Sequence, residues 1–313
     1  MATFGKRGLL AVAASVVVVL ALGLAVLVVN ASPQPADAQV AAPSAVPSEV
    51  IPTAPATPST TAVPALQRGL AQAAVDAAQG EAAQSTQLAV AVLDRGTGEL
   101  AVGGRGNEPF YTASLSKLVV IVDVLDRRRF EGLTVSDVDL ALIRRALGPS
   151  DDSAMSALWD RFDGTSAVGR VRERLELQGT SAPRRTGEWG EVEVTAADYV
   201  RIWRYILDEM PAEDRDLLIG AMDAAPPVAR DGFDQSFGLL SPAVRGPDGP
   251  GAVAKQGWMC CFSGQYYLHS AGVVGADKRF LVTLLTREPR ARGWAAARTE
   301  LTGIARQTVA ALE

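Results

Sequence analysis

The chain has 313 residues, enough for one large domain or two small ones. Hydrophobic residues make up 48% and charged residues 21%, so most of the chain should fold around a core. The formal net charge is -5, with no basic stripe or charged tail, which argues against a nucleic-acid partner. Cys260 and Cys261 are the cysteines and His269 the single histidine. They are too few for a structural zinc site, so neither a metal nor another cofactor is expected. A Ser-His-Asp triad would have to be built on His269, so a nucleophile here should take its base from Lys, Asp or Glu.

Taken in chain order, Lys6 and Arg7 precede an uncharged apolar run over residues 8–29. Crossing a bilayer takes about 20 residues, more than the roughly 7–15 of a secretory h-region. The reading is therefore an N-terminal signal anchor over 1–30, with a cytoplasmic N-terminus and everything after it outside the cytoplasm. Small residues follow at Val29-Asn30-Ala31 and Ala36-Asp37-Ala38, so cleavage and secretion is the alternative. The absence of a cysteine near the end of the run excludes a bacterial lipoprotein anchor. Residues 31–64 are rich in Pro, Ala, Ser and Thr, with Asp37 and Glu49 as the only charges. Such a stretch cannot bury a core and reads as a disordered tether.

The folded domain is expected over 65–313. Leu66, Leu70, Ala73, Ala74 and Ala77 space as one helix face. Gln87 to Leu93 reads as a buried strand, Asp94-Arg95-Gly96-Thr97-Gly98 as a turn and Glu99 to Val102 as the return strand. A helical middle runs from about Ser114 to Glu209. Strands follow at Val253 to Met259, Tyr266 to Val274 and Phe280 to Leu285, and Trp294 to Leu312 closes as a helix. Strands at both ends with helices between predict an α+β fold: an antiparallel sheet flanked by helices, with an inserted all-helical lobe. The adjacent cysteines read as two small buried hydrophobes on a strand, or else as a vicinal disulfide.

Three segments carry candidate chemistry. In Thr112-Ala113-Ser114-Leu115-Ser116-Lys117, Ser114 stands where a loop becomes a helix and Lys117 lies one turn on, on the same face. Free N–H groups at a helix start suit an oxyanion, and a lysine serves as base once burial depresses its pKa. Ser150-Asp151-Asp152 opens a helix whose buried stripe is Ala154, Met155, Leu158 and Trp159. Lys255-Gln256-Gly257-Trp258 sets a cation on a strand beside a glycine that allows close backbone approach. Alone, each has a plain structural explanation: a capping serine with a solvated lysine, an Asp helix cap, an edge-strand lysine.

Together and in this order they resemble the Ser-x-x-Lys, Ser-Asp-Asn and Lys-Thr-Gly signature of class A β-lactamases and penicillin-binding serine hydrolases. The resemblance spans most of 65–313, and the stretch between the first two motifs, shorter than in class A enzymes, implies a trimmed helical lobe. Leu93 to Glu99 is similar to that family's first hairpin, and His269 to Val274 to the strand after its Lys-x-Gly strand. It implies Ser114 as acylated nucleophile, Lys117 as proton acceptor, Ser150 as proton shuttle to the leaving group and Lys255 as holder of a substrate carboxylate. The main-chain N–H groups of Ser114 and Trp258 would form the oxyanion hole.

The chain departs from that pattern at three places. Asp152 replaces an asparagine, and its carboxylate would keep Lys117 charged, serve as base itself or pair with Lys255. Gln256 and the bulky Trp258 narrow the substrate site. The deacylating glutamate falls to Glu188 or Glu191 in a loop without the family's usual pattern, or to neither. The resemblance thus implies a membrane-tethered extracytoplasmic serine hydrolase acting on a β-lactam or a D-alanyl cell-wall peptide. The alternative is an impaired descendant that binds wall peptides or proteins.

Overall fold

The computed structural model describes residues 66–246 and 251–313. The expected membrane segment over 8–29 and the tether over 31–64 lie outside the described residues. Among those described, no helix is long and apolar enough to cross a membrane.

Helix α1 (Leu70–Glu81) leads into strands β1 (Gln87–Asp94) and β2 (Glu99–Gly104), the expected hairpin. A short strand β3 (Phe110–Tyr111) and a 3-10 turn (Ala113–Leu115) precede α2 (Ser116–Glu131), α3 (Asp137–Leu147), α4 (Asp152–Arg161) and α5 (Gly164–Arg174). Strand β4 (Glu193–Val194) pairs with β3, and α6 (Ala196–Asp208), α7 (Ala212–Asp223) and the single turn α8 (Pro242–Arg245) follow. The chain ends in β5 (Ala252–Phe262), β6 (Gln265–Val274), β7 (Phe280–Pro289) and α9 (Gly293–Ala310).

Every pairing in the main sheet is antiparallel, in the order β2-β1-β7-β6-β5, so that β5 is an edge strand. Alternating residues of β1 enter two cores. Ala89, Ala91 and Leu93 face α2, α6 and the rest of the helical lobe, whereas Leu88, Val90 and Val92 face α1 and α9. Both faces of the strand are covered, which is why it reads as an unbroken apolar run rather than an alternation.

Two expectations are corrected. The buried stripe of α1 is Leu70, Ala71, Ala74, Val75 and Ala78, and Leu66 is exposed. The helix is rotated from the expected face because Val75, bulkier than the alanines, turns inward. Cys260 is exposed and Cys261 only half-buried, so they are not core residues. They lie at the outer end of β5, where its register with β6 shifts between Met259 and Phe262, and their sulfurs are bonded to each other.

One charged cluster stands away from the candidate site. Glu288, fully buried on β7, has one oxygen on Arg292 at 3.0 Å and the other without a partner. Burial, with Glu300 nearby, pushes its carboxyl up to about 7. A carboxyl with a raised pKa holds its proton more tightly folded than unfolded. Its effect is therefore loss of stability as pH rises from 4.5 to about 7. Glu288→Gln should remove that slope, gaining about 2–3 kcal/mol over the parent above the window and little below it. Urea midpoints of both proteins at either end of the window measure this, and parallel curves would contradict it.

Candidate active site

The turn carrying Ser114 is fixed from several sides. The Thr112 N–H donates to the Val192 carbonyl at 2.8 Å, the Ser116 hydroxyl to the Ala113 carbonyl at 2.9 Å and the buried Tyr199 hydroxyl to the Leu115 carbonyl at 3.0 Å. Ala113 has φ 47 and Ser150 φ 56, left-handed backbone that non-glycine residues seldom adopt. Such positions persist where surrounding structure enforces them, and they gather at functional sites. Here one precedes the candidate nucleophile and the other is itself a candidate.

Ser114 is 5% exposed and Lys117, one turn along, is fully buried. The Lys117 amine donates to the Ser150 carbonyl at 2.7 Å, the Ser150 hydroxyl at 3.1 Å and Asp152 Oδ1 at 2.7 Å. The Lys255 amine, also buried, donates to the same Ser150 hydroxyl at 2.8 Å and to the Gln256 carbonyl at 2.8 Å. With both lone pairs of the Ser150 oxygen taken by amines, its own proton is left to donate outward, the geometry a proton shuttle needs. Asp151 caps α4, accepting from the Ser153 and Ala154 N–H groups. Burial works against its charge, but the hydrogen bonds from Arg145 outweigh it and hold the carboxyl below its ordinary value.

β5 reaches the Ser114 turn because Gly257 has no side chain. A Cβ there would stand 2.8 Å from the Thr112 carbonyl and 3.3 Å from the Leu115 side chain. The turn, α4 and the edge strand thus bring Ser114, Lys117, Ser150, Asp152, Lys255 and Gly257 together.

The electrostatics turn on the two lysines. Burial pushes Lys117 below the ordinary lysine value, against the opposing pull of Asp152. Burial and the neighbouring Lys117 charge drive Lys255 well below it. Two ammonium groups on one hydroxyl repel, so the pair favours one charge rather than two. Asp152 touches Lys117 and not Lys255, which keeps the proton on Lys117 and makes Lys255 the amine that loses it. A protonated Lys117 cannot accept the Ser114 proton. Asp152→Asn should therefore raise the Ser114 acylation rate by about tenfold, the change in neutral amine that one pKa unit brings. Stopped-flow acylation of both proteins checks this, and equal rates would contradict it.

The remaining sequence candidates take other positions. Gln256 does not enter the site: its amide donates to the Gln235 carbonyl at 3.3 Å and to that of Phe237, and its Oε1 is buried without a partner. Successive strand residues point to opposite faces, so Lys255 and Gln256 cannot both enter. Trp258 stacks on Phe233 at 4.8 Å, donates its indole N–H to Asp231 at 3.0 Å and sets its ring 5.7 Å from the Lys255 amine. Glu191 pairs with Arg185, and Glu188 is exposed at the start of the Trp189–Glu191 turn. Neither is hydrogen-bonded to Ser114 or Lys117. The Trp189 ring lies instead 4.9 Å from the Lys117 amine, its indole on Ser156 at 3.3 Å. His269 is structural. Its Nε2 donates to the Tyr111 carbonyl at 2.8 Å and its Nδ1 accepts from the Thr286 N–H, while burial lowers it to about 4. With both nitrogens occupied, it has none free to act as a base.

Trp189, Asp231 and Phe233 were not singled out by sequence. Trp189 sits between the two glutamates that drew attention, and Asp231 and Phe233 lie in a loop with no spacing rule to mark them.

No family model matches the chain. A 215-residue stretch, 66% of this chain, is 33% identical to Putative lipoprotein LppW of Mycobacterium tuberculosis and of Mycobacterium bovis, and the chain spans 65% of the length of those relatives. Among solved structures, a class A β-lactamase from Bacteroides cellulosilyticus is similar with a TM-score of 0.62 at 15% identity, over 79% of this chain and 99% of that one. A β-lactamase from Sphaerobacter thermophilus is similar with a TM-score of 0.59 at 17% identity, over 77% and 97% of the two chains. The described domain therefore has a class A β-lactamase-like fold.

Proposed function

We propose that the chain is a serine hydrolase working through an acyl-serine on Ser114, held outside the cytoplasm by the apolar segment over 8–29. Its acyl donor would be a β-lactam or a D-alanyl cell-wall peptide. The observation that carries the reading is the Ser150 hydroxyl shared by the Lys117 and Lys255 amines beside the Ser114 turn. In it, the minor neutral fraction of Lys117 takes the Ser114 proton as the oxygen attacks the acyl carbon. Ser150 passes a proton to the leaving group, and the Ser114 and Trp258 N–H groups hold the oxyanion, each donor lending about 3 kcal/mol. The name of the mycobacterial relative supports a membrane association.

A second reading, a binding module that reacts poorly, is favoured by the Lys117–Asp152 ion pair and by Trp189 beside Lys117. Both readings expect slow release of any acyl group, because Glu191 is held by Arg185, Glu188 is exposed and neither is hydrogen-bonded to Ser114 or Lys117. Intact mass of the full chain in mild detergent, followed after adding a penicillin or an acyl thioester, separates them. An adduct on Ser114 that decays over time supports the hydrolase. No adduct with either probe leaves the binding module.

A further inference from the structure

We infer that the group following the scissile bond of the natural acyl donor carries no carboxylate: the donor is a neutral D-alanyl amide or ester, not a β-lactam acid or a free C-terminal D-alanine. This rests on the acyl-serine reading and narrows its substrate.

The argument starts from what would have to meet a carboxylate. Lys255 is 1% exposed, its amine committed to Ser150 and the Gln256 carbonyl, with the Trp258 ring lying against it. Anion binding needs a donor that can turn to the anion without leaving other buried groups unpaired. Gln256, the next donor along the strand, is turned to the Gln235 and Phe237 carbonyls on the opposite face. What borders the lysines instead is negative. The Asp152 side chain is 59% exposed, and Asp231 is exposed with an oxygen on the Trp258 indole. Both carboxylates act on Lys117 and on Lys255, which places them within electrostatic reach of the reacting centre. A substrate carboxylate entering there would leave water for a wall bearing two like charges. Among the described residues, the exposed Arg230, next to Asp231, and Arg298, 5.3 Å over the Phe233 ring and 3.9 Å from Asp234, are cations that could reverse this by swinging in.

A matched pair of substrates tests the inference on the full chain in mild detergent: an N-acyl-D-alanyl thioglycolate and its methyl ester, which differ only in that carboxylate. The methyl ester should acylate Ser114 with a kcat/KM at least tenfold higher than the free acid. The ratio should fall several-fold in Asp231→Asn, while a ratio unchanged there would overturn the part assigned to that carboxylate. A free acid that reacts as fast as the ester, or faster and with dependence on Arg230 in Arg230→Gln, would overturn the inference. Tryptophan fluorescence of Ser114→Ala, titrated with the same pair, separates this from failure of the acyl-serine reading. If neither thioester acylates the parent but the ester alone quenches Ser114→Ala, the reaction is wrong and the preference stands. Equal quenching by both, or none by either, would overturn the preference too.

Discussion

Lys117→Met should slow acylation of Ser114 by about 100- to 10,000-fold, the range a positioned general base contributes. The Lys117 amine is the basic group one helical turn from Ser114, and its contacts to Ser150 and Asp152 hold it within the site. Methionine fills a similar volume without a proton acceptor, so the helix should remain packed. The Ser150 carbonyl loses a donor, which should cost about 1 kcal/mol of stability. Single-turnover acylation, read beside a thermal melt, separates the two effects. A rate within threefold of the parent would remove Lys117 from the reaction and shift the base to Asp152.

The largest stability effect is expected away from the chemistry, in the helix that carries Lys117. Asp123 on α2 is fully buried and receives two hydrogen bonds from Arg170 of α5, each 2.8 Å, with Arg127 farther off at 3.9 Å. One turn on, buried Asp126 takes the Tyr205 hydroxyl at 2.7 Å and pairs with Arg174. The pairs tie α2 to α5 where both faces are otherwise apolar. Removing one partner strands a charge in the core, which costs about 3–5 kcal/mol, whereas removing both can be nearly neutral. Arg170→Met should therefore lower unfolding free energy by that amount, and the double variant Asp123→Leu with Arg170→Leu should recover most of it. Urea denaturation of the three proteins measures this. A loss below about 1 kcal/mol in Arg170→Met would mean that Arg127 and water compensate.

Much of this fold could be read from residue order alone. The hairpin of β1 and β2, the three closing strands and the last helix announce themselves because apolar runs are bounded by turn residues such as Asp94 to Gly98 and Asp277 to Arg279. The Ser150-Asp151-Asp152 cap was legible because a short side chain before a helix has one dominant use. What escaped depends on through-space neighbours. The α2–α5 ion pairs join residues far apart in the chain, and the acids sit in a run that reads as apolar. The rotation of α1 follows from packing against β2 and α9, which its alanine-rich pattern barely distinguishes. The site divides the same way. Ser114, Lys117, Ser150 and Lys255 come together from three separate motifs, whereas the turn of Gln256 away from the site and the approach of Trp189 to Lys117 follow from how a strand alternates and a loop folds back. The charge beside the amines was legible only in part: Asp152 stands within its motif, whereas Asp231 lies in a loop that no spacing rule marks.

The measurement closest to the central claim is the intact mass of the full chain after reaction with a neutral D-alanyl thioester, in the parent and in Ser114→Ala. The account predicts a single acyl adduct, mapped by peptide analysis to Ser114, formed faster in Asp152→Asn and absent in Ser114→Ala. An adduct that persists in Ser114→Ala, or its absence from the parent and Asp152→Asn alike, would contradict it.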